Sequence, residues 1–128
     1  MTEDKKDIKL IVSGSRDFKN YEFIASEINK LKERFNIIEI VEGGARGVDL
    51  CAAQYAYNND IKQISFPAMW NQHGRGAGII RNESMAEYGN YLIAFPYENS
   101  RGTNNMIKLA KEHNLDVVIV KLEGINND

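Results

Sequence analysis

Short β-branched runs alternate along this chain with stretches whose apolar residues recur every three or four positions, a pattern that predicts strands and helices in strict succession. Ile8-Lys9-Leu10-Ile11-Val12-Ser13 reads as a first strand. Asn20 is placed to cap a helix in which Tyr21, Ile24, Ile28, Leu31 and Phe35 form one apolar stripe. A second strand over 37–41 leads into a helix from Val48 to Asn58, with Val48, Cys51, Ala52 and Tyr55 on a common face. Ile61 to Phe66 is a third strand, ended by Pro67. Residues 68–78 read as the longest irregular connection, followed by a helix from Ile79 to Tyr88 that Gly89 stops. Tyr91 to Phe95 is a fourth strand. Thr103 caps a last helix that runs to about His113, before a fifth strand over Asp116 to Val120. From Glu123 the tail is expected to fray.

Five strands alternating with four helices predict an α/β Rossmann-like three-layer sandwich, because parallel neighbours need right-handed crossovers that put helices on both faces. The expected order is 3-2-1-4-5, with the winding reversing between the first and fourth strands. Ligands in such sheets bind beyond the carboxyl ends of the strands at that reversal. At 128 residues, one domain accounts for the whole chain.

Composition narrows the classes. No apolar run approaches the roughly 20 residues of a membrane span, and the charged start, Thr2-Glu3-Asp4-Lys5-Lys6-Asp7, has no signal-peptide core behind it. A cytoplasmic protein with no membrane partner is expected. Cys51 is the only cysteine, which leaves no intrachain disulfide and no cysteine metal cluster, and no metal or cofactor is expected. A net charge of −2 argues against a general electrostatic hold on nucleic acid. The distribution is more informative: Arg16, Arg46, Arg75, Arg81 and Arg101 fall in or beside the glycine-containing connections, where eight of the ten glycines also lie. If those connections converge, one mouth of the molecule is cationic.

The strongest single stretch is Gly43-Gly44-Ala45-Arg46-Gly47-Val48-Asp49, a strand-to-helix turn whose glycines let backbone approach a ligand. The first amides of the following helix are expected to face outward unpaired, and with Arg46 they suit a phosphate or carboxylate. Alternatively, Arg46 merely pairs with Asp49. Gly14, Ser15 and Arg16 form the turn after the first strand, Arg81-Asn82 presents a guanidinium and an amide, and Gly102-Thr103 opens a helix able to cradle a second phosphate edge. The spaced three-glycine pattern of dinucleotide folds and the Walker lysine motif are both missing, so Glu42 has little claim to a ribose in the manner of NAD enzymes. Trp70 either lines the cleft or pins its loop, and His73 lacks a carboxylate at recognisable spacing. His113 fits a helix C-terminus.

Taken together, Gly14-Ser15-Arg16-Asp17-Phe18, Glu42-Gly43-Gly44-Ala45-Arg46-Gly47-Val48-Asp49, Pro67-Ala68-x-Trp70, Gly74-x-x-Ala77-Gly78-x-x-Arg81-Asn82-x-x-Met85 and Gly102-Thr103 resemble the SLOG superfamily, and more narrowly its small stand-alone YspA-like branch. The resemblance covers roughly Ile8 to Val120. It implies a Rossmann-like fold that binds a nucleotide or nucleotide-derived ligand, a sensing role and homo-oligomerisation. Ligand binding would involve Gly14, Ser15, Arg16, Gly43, Gly44, Ala45, Arg46, Gly47, Asp49, Arg81, Asn82, Gly102 and Thr103. Relatedness to the LOG phosphoribohydrolases implies a second reading, N-glycosidic hydrolysis of nucleoside monophosphates with Arg81 as the catalytic arginine. There Met106 stands where the motif glutamate would fall. Relatedness to the DprA proteins, which share a similar Gly-Gly-Ala-Arg-Gly-x-Asp turn, implies a third, the binding of single-stranded DNA.

Overall fold

The computed structural model describes residues 4–98 and 100–128. Its five strands, β1 (Lys6–Gly14), β2 (Phe35–Glu42), β3 (Lys62–Ser65), β4 (Tyr91–Phe95) and β5 (Asp116–Ile119), form one sheet in the order β3-β2-β1-β4-β5. Every pairing is parallel. The helices are α1 (Tyr21–Arg34), α2 (Val48–Asn58), a single turn α3 (Trp70–His73) continued by a 3-10 turn over Gly74–Gly76, α4 (Ala77–Tyr88) and α5 (Arg101–Glu112). The expected α/β three-layer sandwich and strand order are what the chain adopts.

Each face of the sheet buries the apolar stripe of its helices. On one side Leu10, Val12, Ile93 and Phe95 pack with Ile24, Ile28 and Leu31 of α1 and Val48, Ala52 and Tyr55 of α2. On the other, Ile11, Val41, Leu92 and Ala94 pack with Met85 and Ala86 of α4 and Met106, Ile107 and Ala110 of α5. Since α1 and α2 wind one way and α4 and α5 the other, the reversal falls between β1 and β4. Those strands run in register to their carboxyl ends, where Gly14 lies opposite Phe95.

Several local expectations are corrected. Phe35 does not extend the stripe of α1: it begins β2 in extended backbone, and its ring packs 5.1 Å from that of Tyr91. The pairing of β1 with β2 skips Ile38, since Ile8 faces Ile37 and Lys9 faces Glu39. This bulge lets Ile37 and Ile40, three residues apart, enter the same core. The connection over 68–78 is largely helical rather than irregular, and α4 begins two residues early. Helix α5 begins at Arg101 behind Ser100, so Thr103 is a buried residue of its first turn and not its cap. The tail is also tied down. Leu122 is buried, the Asn20 amide donates to the Asn126 carbonyl at 2.7 Å, and Asn127 both accepts from the Lys19 N–H and donates to the Asp17 carbonyl. Among the described residues, no helix is long and apolar enough to cross a membrane.

Candidate functional site

The connections at the carboxyl edge of the sheet meet through contacts that only small residues allow. A Cβ on Gly14 would stand 2.7 Å from the Val48 side chain, and one on Gly47 would stand 2.4 Å from the Ser15 carbonyl oxygen. Gly47 also has φ +76, a conformation that glycine adopts without strain. The turns after β1 and β2 therefore lie backbone against backbone. The Ser15 N–H reaches the Phe95 carbonyl at 3.3 Å, which joins the end of β4 to the same cluster.

The amides of the glycine turn are used within the protein. Asp49, buried at 6% exposure, accepts from Gly43 N–H at 3.1 Å and from Ala45 N–H at 3.3 Å through Oδ2. Glu42, buried at the end of β2, accepts from Gly44 N–H at 2.6 Å and from the Gln63 amide at 2.8 Å. The first amide of α2, Val48 N–H, donates to the Ser15 carbonyl at 3.0 Å. The expectation that the first amides of this helix face outward unpaired is corrected for Val48, whose N–H is taken by the Ser15 carbonyl; in the preceding turn, the Gly43, Gly44 and Ala45 amides are taken by the chain's own carboxylates. Gly43 and Asp49 are buried, where an unsatisfied N–H is costly, and Asp49 sits in the first turn of α2, where a carboxylate is favoured.

Arg46 does not pair with Asp49. Its Nη2 lies 3.3 Å from Asp17 Oδ1, with the two side chains 70% and 77% exposed, a contact worth at most about 1 kcal/mol. Arg81 reaches from α4 to the turn: Nη1 donates to the Gly43 carbonyl at 2.5 Å and Nε to Asn82 Oδ1 at 2.9 Å. A Cβ on Gly43 would fall 2.2 Å from that Nη1, so glycine is required for this approach. Asn82 is buried and donates onward to the Gly102 carbonyl at 3.1 Å and to Asn105 Oδ1 at 2.9 Å, bracing α4 against the start of α5.

Charge in this cluster is mixed, not purely cationic. Burial, reinforced by the neighbouring Glu42, pushes the Asp49 carboxyl up to about 7, against the pull of the turn amides and Arg81. Burial lowers the Arg81 pKa, Asp49 opposes that, and the charge of Arg16 adds to the lowering. Arg16 is exposed and makes no ion pair among the described residues.

The structure brings together Gly14, Ser15, Arg16, the 43–49 turn, Arg81 and Asn82, with Gly102 and Thr103 joined through Asn82. Arg75 and Arg101 are exposed, and among the described residues no ion pair carries either into the cluster. Met106 is fully buried in the core, so the residue at the position of the hydrolase glutamate packs among apolar side chains. Glu83 pairs with His113 at 2.8 Å between α4 and α5, giving that histidine a partner beyond the helix end. No group of three or more potential metal ligands occurs among the described residues. The reading by residue type missed Glu42 and Asp17 as the turn's internal partners and Asn105 as the second anchor of Asn82. Glu42 and Asp17 lie within the quoted motifs, and that membership is the one signal that could have pointed to them.

Residues 8–73 match the YspA, cpYpsA-related SLOG family. The chain is 29% identical to the Gene 61 protein of Mycobacterium phage D29, over 86% of this chain and 94% of that protein. Among solved structures it is similar to DNA processing protein A (DprA) of Streptococcus pneumoniae, with TM-score 0.72 and 18% identity, over 97% of this chain. It spans about half of that relative, 53%. DprA of Helicobacter pylori, whose structure is described for its single-stranded DNA binding mode, gives TM-score 0.65 at 18% identity, over 94% of this chain and 69% of that one.

Proposed function

Because the chain belongs to the YspA, cpYpsA-related SLOG family, we propose that it is a cytoplasmic, homo-oligomeric protein that binds a nucleotide or nucleotide-derived phosphorylated ligand at the carboxyl edge of the sheet and acts as a sensor of it. The observation that carries this reading is the meeting of the turns at the carboxyl edge: Arg81 Nη1 holds the Gly43 carbonyl, Gly47 lies against the Ser15 carbonyl and the Arg16 backbone, and the Arg16 side chain is exposed with no ion pair among the described residues. A phosphate bound at that edge gives Arg16 a two-pronged partner. Arg46, tied only by a weak exposed pair, is free to turn toward the same anion. Gly102 and Thr103, in the first turn of α5, add the positive end of a helix dipole, with no side-chain cap among the described residues. Gly43, Gly44 and Asp49 act in this reading as the scaffold that fixes Arg81, not as the phosphate cradle itself.

The fold likeness to DprA favours a second reading, single-stranded DNA binding. It predicts affinity that grows with oligonucleotide length and falls steeply with salt. Hydrolysis of the ligand would need a carboxylate at the ribose. Met106 supplies none, and Glu42 and Asp49 are committed to turn amides.

The test is a thermal-shift and calorimetric series with AMP, GMP, CMP, UMP, ADP-ribose and an oligo-dT, on the wild type and on Arg16→Ala and Arg46→Ala. A mononucleotide is expected to raise the melting temperature, by about 2.7 kcal/mol of stabilisation at a hundredfold excess over Kd. Arg16→Ala should weaken it at least about tenfold, the loss of one charge-assisted contact. Binding of the oligonucleotide alone selects the second reading, and silence to all probes rejects both.

A further inference from the structure

We propose that Trp70 is a stacking platform for the base of the ligand and that Arg81 Nη2 bonds an anionic or acceptor group beside it; this rests on the nucleotide reading above. The guanidinium of Arg81 has three nitrogens. Nη1 is spent on the Gly43 carbonyl and Nε on Asn82 Oδ1, while Nη2 makes no hydrogen bond among the described residues. Both Nη2 and the indole edge of Trp70 border one bare spot on α4: a Cβ added at Gly78 would meet Trp70 Cη2 at 3.6 Å and Arg81 Nη2 at 3.9 Å. Indole and unspent guanidinium nitrogen therefore flank the same backbone.

Trp70 stands 55% exposed in a segment, Met69 to Arg75, that is exposed throughout. A tryptophan serving only to pin its loop would bury most of its ring, and this one leaves more than half in water. The ring and the charged nitrogen together match a ligand that is flat and aromatic at one end and carries phosphate or carbonyl oxygens close by. Purine and pyrimidine nucleotides are that class, and aromatic side chains accept any base because every base offers a π face. Selection among bases then falls to Nη2, which donates and cannot accept.

Trp70 is the only tryptophan in the chain, so its emission reports directly on the platform. Wild type is titrated with AMP, GMP, CMP and UMP and, separately, with ribose 5-phosphate, which lacks a base; tryptophan emission and calorimetric heat are followed together. Nucleotides are expected to quench emission and to bind at least about tenfold more tightly than ribose 5-phosphate. Trp70→Ala should reduce nucleotide affinity to that of ribose 5-phosphate, and Trp70→Phe should keep most of it. Calorimetric binding of a nucleotide without quenching, or wild-type affinity in Trp70→Ala, overturns the platform and leaves the nucleotide reading standing. If neither ribose 5-phosphate nor any nucleotide binds, that reading falls and takes the platform with it. Emission that shifts with protein concentration alone, in step with sedimenting mass, assigns the ring to contact with a second copy of the chain and also overturns it.

Discussion

Asp49 is held by the Gly43 and Ala45 amides, yet burial and the neighbouring Glu42 favour its protonated form. In the unfolded chain it titrates near 3.8 and in the folded protein at about 7, so between these values the native state holds the extra proton. Its contribution to stability is complete below the unfolded value and is lost as pH rises through 7, falling by about 1.4 kcal/mol per pH step of one across that window. Asp49→Asn keeps an oxygen for the amides and removes the titration. Urea midpoints from about pH 5 to about pH 8 should therefore move in favour of the variant as pH rises; a constant difference would show that Asp49 does not titrate there. The glycines divide on equally local grounds. Gly47→Ala, with φ +76 and a Cβ 2.4 Å from the Ser15 carbonyl oxygen, should cost at least about 2 kcal/mol. Gly102→Ala meets nothing within 4 Å in a helix and should add roughly 0.5–1 kcal/mol. If the start of α5 receives a phosphate, that more stable variant binds mononucleotide less well, which calorimetry on the same sample would read.

Helices α4 and α5 are joined near their starts by Asn82 and farther along by Glu83 and His113. The first junction is buried and the second half-exposed, so they should differ in cost. Asn82→Leu keeps the volume but strands Asn105 and removes the acceptor of Arg81 Nε, a loss of at least about 2 kcal/mol by denaturant unfolding, with Arg81 released from its position. His113→Ala should stay within about 1 kcal/mol of wild type. Equal effects would mean that the α4–α5 junction does not depend on the buried amide. Met106 belongs to this scale too. Its place three residues after Thr103 makes it, by the resemblance to the LOG motif, the counterpart of the motif glutamate, while the packing of α5 decides that it faces core. Met106→Glu is expected to lower stability by several kcal/mol without conferring release of base from nucleoside monophosphates; stable folding with hydrolysis would contradict this.

Across the whole molecule, the last residues hold the first loop. Asn126 and Asn127 bond to Asp17, Lys19 and Asn20, and Asp17 in turn meets Arg46. Ending the chain after Glu123 should therefore raise amide hydrogen exchange at Lys19 and its neighbours, while the β1 and β4 amides stay protected. Unchanged exchange at Lys19 would mean that the loop is ordered without the tail.

The alternation of β-branched runs with three- and four-residue apolar spacing was enough to place five strands and the four long helices, because each pattern has one face to bury, and the expected order is the one the sheet adopts; the short helical turns over 70–76 carry no such pattern. Val48 to Asn58 and Tyr91 to Phe95 were readable to the residue, since glycines, asparagines and prolines punctuate both. The same local reading placed the motifs at the carboxyl edge. It could not say what satisfies the turn amides, because Asp49, Glu42 and the Ser15 carbonyl reach them only once β1, β2 and α2 are packed. The skipped Ile38, the tethered tail and the descent of Arg81 onto Gly43 are likewise products of contact between segments distant in the chain. Hydrophobic period is a property of neighbours in sequence; the pairing of a buried donor with its acceptor is a property of neighbours in space, and only the folded chain supplies those.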